Sequence, residues 1–256
     1  MFRRPAAALV AAATVALAAA SLASSPANAV PGGSPDGSGH PNVGGLVADQ
    51  VYSDGTWTYC SGTLIAPKVF LTAAHCGEGG DGRVRVTFDP AYEQGDRTFA
   101  GTFHADPRYS QRQSDPHDIA VVVLDSAAPA TPAKLPAAGS LSRLKHGQSF
   151  TSVGYGAYQV TKGPGGHQYL YDDVRRVAHG SLNSVTPSWL RLSMNPATGD
   201  GGTCYGDSGG PNFLGSSQTV AATTITGDAQ CRATNVDYRL DTASARSFLD
   251  DYVPLP

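Results

Sequence analysis

Three short segments of this chain carry residue types suited to nucleophilic catalysis. Gly206-Asp207-Ser208-Gly209-Gly210-Pro211 sets a hydroxyl among glycines, where a tight turn can leave the amides of Gly206 and Ser208 pointing at one spot. Two such convergent N–H groups are what a developing oxyanion needs. Upstream lie Thr72-Ala73-Ala74-His75-Cys76 and Asp118-Ile119-Ala120-Val121-Val122-Val123-Leu124. A serine hydroxyl is a poor nucleophile at neutral pH unless a base takes its proton as it attacks. His75 is the candidate base, because imidazole titrates near neutrality. Asp118 is the candidate orienter: a carboxylate entering an apolar run needs a partner, and one that accepts from an imidazole fixes the tautomer and stabilises the imidazolium. Singly, these residues read as a core histidine, a strand-end aspartate and a turn serine. Together, in the order His, Asp, Ser, they supply base, orienter and nucleophile for acyl transfer.

The elements that must hold them are mostly strands. Trp57–Ile65, Val69–Ala73, Arg83–Phe88 and Thr98–Phe103 read as strands, and Ile119–Leu124, a continuous apolar run, as a strand buried on both faces. Residues 126–140, rich in Ala, Pro and Ser, form a natural linker between two halves. In the second half Ser149–Tyr155, Tyr169–Ala178, Trp189–Met194, Pro211–Leu214, Thr219–Thr226 and Asn235–Leu240 are further strands, with Lys162-Gly163-Pro164-Gly165-Gly166 in a flexible surface loop. A short helix capped by Asp241 or Thr242 would bring Phe248, Leu249, Tyr252 and Val253 onto one face. His75 and Asp118 fall in the first half and Ser208 in the second, so a site using all three lies in the cleft between them.

The three motifs, with a cysteine pair at each end, resemble the secreted serine proteases of the chymotrypsin/trypsin family, of the bacterial kind, over roughly Val43 to Val253. The resemblance implies an all-β fold of two six-stranded antiparallel β-barrels with the active site between them. The first barrel covers about 43–130, the second about 141–241, and a C-terminal helix about 242–253. It also implies peptide-bond hydrolysis through an acyl-enzyme, with no cofactor. Cys60, Cys76, Cys204 and Cys231 allow three pairings. Sequence-local pairing joins Cys60 to Cys76 and Cys204 to Cys231, as the family does. No C-x-x-C or H-x-x-H spacing supports a metal site instead.

Two further points follow from the resemblance. In the family the aspartate matching Asp207 often pairs with an amine freed by propeptide cleavage. Asn42-Val43-Gly44-Gly45 only partly resembles the family's Ile-Val-Gly-Gly start, so an internal basic residue is the alternative partner. The substrate pocket maps to Gly202 and Thr203 at its floor and to Thr224, Ile225, Thr226 and Gly227 on its walls, with Asn235 and Val236 near the base. Trypsin-like members carry an aspartate where Gly202 stands, so a neutral, mostly apolar side chain is expected at the cleaved position. The alternative is an anion supplied by Asp200, repositioned by an inserted glycine, or by Asp228 near the pocket rim. His117, His40, His104, His146, His167 and His179 are expected to face solvent.

Residues 1–29, with Arg3 and Arg4, an alanine-rich apolar stretch and Ala27-Asn28-Ala29, have the layout of a secretory signal. Residues 30–42 read as a pro-segment or flexible arm, and 43–256 as the protease domain. The net charge of −3 becomes −5 without Arg3 and Arg4, and no basic stripe appears, so nucleic acid is not an expected partner. The expected product is a secreted, extracellular monomer acting on proteins or peptides and open to protein inhibitors, with no membrane association once the signal is removed. Two rivals are an inactive binding protein on the same fold and an acyl hydrolase acting on esters. A complete set of His75, Asp118, Gly206 and Ser208 argues against the first. The absence of a strand–helix setting around Gly206-Asp207-Ser208-Gly209-Gly210 argues against an α/β-hydrolase form of the second.

Overall fold

The computed structural model describes residues 33–77 and 82–256; the expected secretory signal and its cleavage site lie outside the described residues. Among the described residues fifteen strands and one α-helix follow in chain order. They are β1 (Ser34–Pro35), β2 (Val43–Val47), β3 (Thr58–Ala66), β4 (Val69–Thr72), β5 (Arg83–Thr87), β6 (Thr98–Ala105), β7 (Ala120–Leu124) and β8 (Ser149–Gly154). There follow β9 (Gln159–Gly163), β10 (Gly166–Leu170), β11 (Arg176–Val185), β12 (Trp189–Ser193), β13 (Pro211–Leu214), β14 (Val220–Gly227), β15 (Thr234–Arg239) and α1 (Ala243–Leu249).

The runs Val69–Leu71 and Ala120–Leu124 are apolar because each strand packs on both faces. Phe70, Ala120, Val122 and Leu124 point into the first barrel, where they meet Leu46, Leu64, Val86, Phe99 and Phe103. Val69, Leu71 and Val121 point the other way, to a second cluster with Val153, Phe213, Val220 and Tyr238 from the second barrel. Alternation along a strand thus serves two cores at once. The first barrel closes in the order β2-β3-β4-β7-β6-β5. The second runs β11-β12-β15-β14-β13-β8 and closes through β11–β8, with β1 added at β11. All ladders in both barrels are antiparallel. This is the expected pair of six-stranded barrels. Thr242 caps α1 by accepting from the Ala245 amide, while Asp241 pairs with Arg239. Phe248, Leu249 and Val253 close the inter-barrel cluster, although Val253 lies beyond the helix end.

Several expectations are corrected. Residues 33–42 are not a loose arm. Ser34 and Pro35 pair with Val177 and Arg176, and the Asp36 carboxylate accepts from His40 Nδ1 at 2.6 Å and Arg175 Nε at 2.9 Å. Arg175, itself fully buried, also donates to the carbonyls of Gly37, Val43 and Phe88. A buried guanidinium needs this many acceptors, and the segment supplies two of them, Asp36 and Gly37. Nor does Asn42-Val43-Gly44-Gly45 behave as a chain start: Val43–Val47 is a barrel strand between β3 and β5. Lys162–Gly166, read as a loop, belongs to a hairpin in which Gly163 pairs with Gly166. Tyr169–Ala178, read as one strand, splits between β10 and β11, with Asp173 at φ 56 in the break.

Candidate active site

His75 sits on a single turn of 3₁₀ helix, Ala74–Cys76, directly after β4. Asp118 precedes β7, the neighbour of β4 in the barrel, with Thr72 paired to Ala120. This register brings the two side chains together. Asp118, about 1% exposed, accepts the His75 backbone N–H at 3.0 Å and meets its Nδ1 at 2.9 Å. One carboxylate therefore fixes both the backbone and the ring of the histidine. With Nδ1 so engaged, Nε2 is the ring nitrogen left for a reacting partner. The ring is about 23% exposed and lines a cleft of about 250 Å³ that Ser208 also lines.

Ser208 is held against the first barrel by its own backbone: its carbonyl accepts the Ser61 amide at 2.8 Å. Two glycines make that approach feasible. Gly209 has φ 78, and a Cβ there would overlap Thr72 Oγ1 and stand 2.6 Å from the Ser61 carbonyl oxygen. Gly206 has φ 93 and its carbonyl accepts from Ser61 Oγ at 2.9 Å. Both lie in the left-handed region that only glycine enters freely. Among the described residues no protein acceptor takes the N–H of Gly206 or of Ser208. Both N–H groups therefore remain free to donate to another acceptor.

Asp207 points away from the cleft into the second barrel. It is fully buried and accepts the amides of Gly156 and Cys204, each at 2.8 Å. Side chains at 154 or 156 would overlap its carboxylate, so the Gly154-Tyr155-Gly156 sequence makes the space for it. Burial pushes its pKa up to about 6, against the opposing effect of the two amides. Among the described residues no cationic side chain forms an ion pair with it; Arg176, the one cation that favours its charged form, pairs with Asp172.

The disulfides are Cys60–Cys76 and Cys204–Cys231. The first fastens the His75 turn to β3, and the second ties the segment before Ser208 to the pocket rim. Thr203, Thr224, Ile225, Thr226 and Gly227 line the cleft, with Tyr205 and Asp228. Gly202 does not reach it, because the Met194 side chain covers that glycine. Of the two candidate anions only Asp228 lines the cleft. Asp228 accepts four backbone amides, from Gln230, Arg232, Ala233 and Thr234. Burial would raise its pKa, but these bonds outweigh it and hold the carboxyl below the ordinary range. Asp200 accepts from the hydroxyls of Ser181 and Thr198. Asn235 and Val236 lie behind the wall rather than in the cleft. There Asn212 Nδ2 donates to Asp237 Oδ1 at 2.8 Å, and complete burial raises the Asp237 carboxyl well above its ordinary range.

The histidines depart from expectation in two places. His40 stacks on Phe213 with ring centroids 5.3 Å apart, and His117 Nδ1 is buried 3.6 Å from Asp106. Sequence reasoning missed Ser61 and Met194. Nothing local marks Ser61, whose Oγ bridges the Gly206 carbonyl and the Tyr155 amide. Met194 was legible by period: with Leu190 and Leu192 it falls on the inward face of alternating residues.

The chain matches the Trypsin family model over residues 38–247. No curated protein matches it. Among solved structures it is similar to HL collagenase, at 17% sequence identity and a TM-score of 0.62, with 82% of this chain and 90% of that one covered. That likeness is one of fold. With the family model covering most of its length, the chain belongs to the trypsin family of serine proteases.

Proposed function

We propose that this protein is an exported serine endopeptidase in which Ser208 attacks the peptide carbonyl, His75 carries the proton and Asp118 orients and stabilises His75. The observation that carries this reading is the double hold of buried Asp118 on His75 at the mouth of the cleft shared with Ser208. As Ser208 Oγ bonds to the carbonyl carbon, its proton passes to His75 Nε2, and the imidazolium is stabilised by Asp118. The oxyanion receives the amides of Gly206 and Ser208. Collapse returns the proton to the leaving amine, and water repeats the sequence to release the acid. No step requires a cofactor. A secretory signal over residues 1–29 and two disulfides suit an oxidising, extracellular setting.

Side chains are accepted at the cleaved position if they are neutral. A lysine or arginine in the cleft would find Asp228 saturated by backbone amides, and burying an unpaired charge is costly. Asp207 takes an amine at the new chain start rather than an internal cation. Cleavage after Ala29 leaves an amine at Val30. Pro35 pairs with Arg176 and Arg176 with Gly154, so β1 runs two strands from the Asp207 site, about 10 Å. Digestion of a library of end-blocked peptides by the chain starting at Val30 tests the whole reading. Internal cuts after neutral residues such as Ala, Met or Leu are expected. A preference of about tenfold or more for Arg or Lys in kcat/KM would overturn the specificity, and hydrolysis of esters alone would overturn the peptidase assignment.

A further inference from the structure

We propose that Met194 sets the depth of the substrate pocket, so that small and medium apolar side chains are taken at the cleaved position and large ones are excluded; this rests on the peptidase reading above. Met194 follows the last residue of β12 and is about 1% exposed. Its backbone amide donates to the Ala233 carbonyl at 3.0 Å, which anchors it beneath the loop that forms the pocket rim. From there the side chain lies behind the cleft lining, between Gly202 and Gly227. On one side its Cγ and Sδ occupy the space that any Cβ at residue 202 would need. On the other its Cε lies 3.6 Å from the position of a Cβ on Gly227, a wall residue. Between the two, the Thr203 amide donates to Sδ at 3.1 Å.

The thioether therefore joins floor and wall, and a substrate side chain meets the cleft at Thr203 and Gly227 without reaching Gly202. Methionine suits this task, being unbranched and able to fill an irregular gap between two glycines. The same placement accounts for Gly202: with Met194 in position, no side chain fits there.

Matched end-blocked peptides with Phe or Ala at the cleaved position test the proposal in the parent protein and in Met194→Ala. Truncation should raise the Phe-to-Ala ratio of kcat/KM by about tenfold or more. A ratio unchanged within about twofold would overturn the proposal. Should Met194→Ala fail to fold, Met194→Val makes a smaller opening and should move the ratio in the same direction; an unchanged ratio there counts equally against it. A second measurement does not depend on catalysis. With Ser208→Ala present throughout, indole should raise the melting temperature of the Met194→Ala protein and leave that of the Met194 protein unchanged. An equal response in both would refute the plug. If the parent cleaves neither peptide, the peptidase reading fails, and the indole comparison still decides the role of Met194.

Discussion

Extending the chain at its N-terminus should turn Asp207 from a group that stabilises the fold at neutral pH into one that destabilises it. Without a cation, burial places the folded-state pKa at about 6, against 3.8 for an unperturbed aspartate. A raised folded-state pKa means that the fold prefers the protonated acid. The associated stability is complete at low pH and is lost as pH climbs through about 6. The gap of about two units corresponds to about 3 kcal/mol in full, of which about 2 kcal/mol falls between pH 4.5 and 7. An amine paired with Asp207 reverses the sign: the folded-state pKa drops below 3.8 and the carboxylate stabilises at neutral pH. The assay is denaturant unfolding at pH 4.5 and 7 of two forms, one starting at Val30 and one with a Gly-Ser extension before it. Each is compared with its Asp207→Asn variant, and that difference isolates Asp207 from other titrating groups. In the extended form Asn should gain on Asp by about 2 kcal/mol as pH rises. In the Val30 form Asn should not gain. The same pH dependence in both forms would refute the reasoning about the chain start.

Other outcomes follow from the same geometry. Ser208→Ala and His75→Ala should each lower kcat by about 10⁶, with melting temperatures close to the parent's; retention of a few per cent of activity would displace either residue from its role. Non-reducing peptide mapping of the purified protein should recover Cys60–Cys76 and Cys204–Cys231. Replacing Cys204 and Cys231 together by Ala should lower stability by roughly 3–4 kcal/mol in denaturant unfolding, and should damage turnover more than loss of the Cys60–Cys76 bridge. Because the Asp237 carboxyl is raised well above its ordinary range, the stability it contributes is present at low pH and lost as pH rises through that raised value. Asp237→Asn should therefore gain melting temperature on the parent between pH 5 and pH 9, and a loss over that range would contradict the buried neutral acid.

What could be read in the sequence was whatever is encoded locally. The triad motifs sit in contiguous stretches whose glycines and apolar runs dictate their own conformation, and the register Thr72–Ala120 then brings His75 to Asp118. The strand Val43–Val47 was missed because Val-Gly-Gly is a poor strand signal. Gly44 is there for packing: a Cβ would stand 2.5 Å from the Thr87 carbonyl oxygen of the neighbouring strand, a contact no local pattern reveals. The break between β10 and β11 hinges on Asp173, whose carboxylate accepts the amides of Trp57 and Thr58 more than a hundred residues away. The order of residues 33–42 depends on Arg175, also distant in sequence. That Met194, from just beyond β12, lies over Gly202 is likewise a contact between residues with no local pattern to link them.

The central claim, that Ser208 is a nucleophile activated by His75, is tested most directly by labelling the protein that starts at Val30 with a fluorophosphonate at neutral pH and locating the adduct by peptide mass spectrometry. The account predicts one adduct per chain, on Ser208, with labelling abolished in Ser208→Ala and slowed by orders of magnitude in His75→Ala. Labelling at another residue, or labelling of Ser208 at the same rate with and without His75, would contradict it.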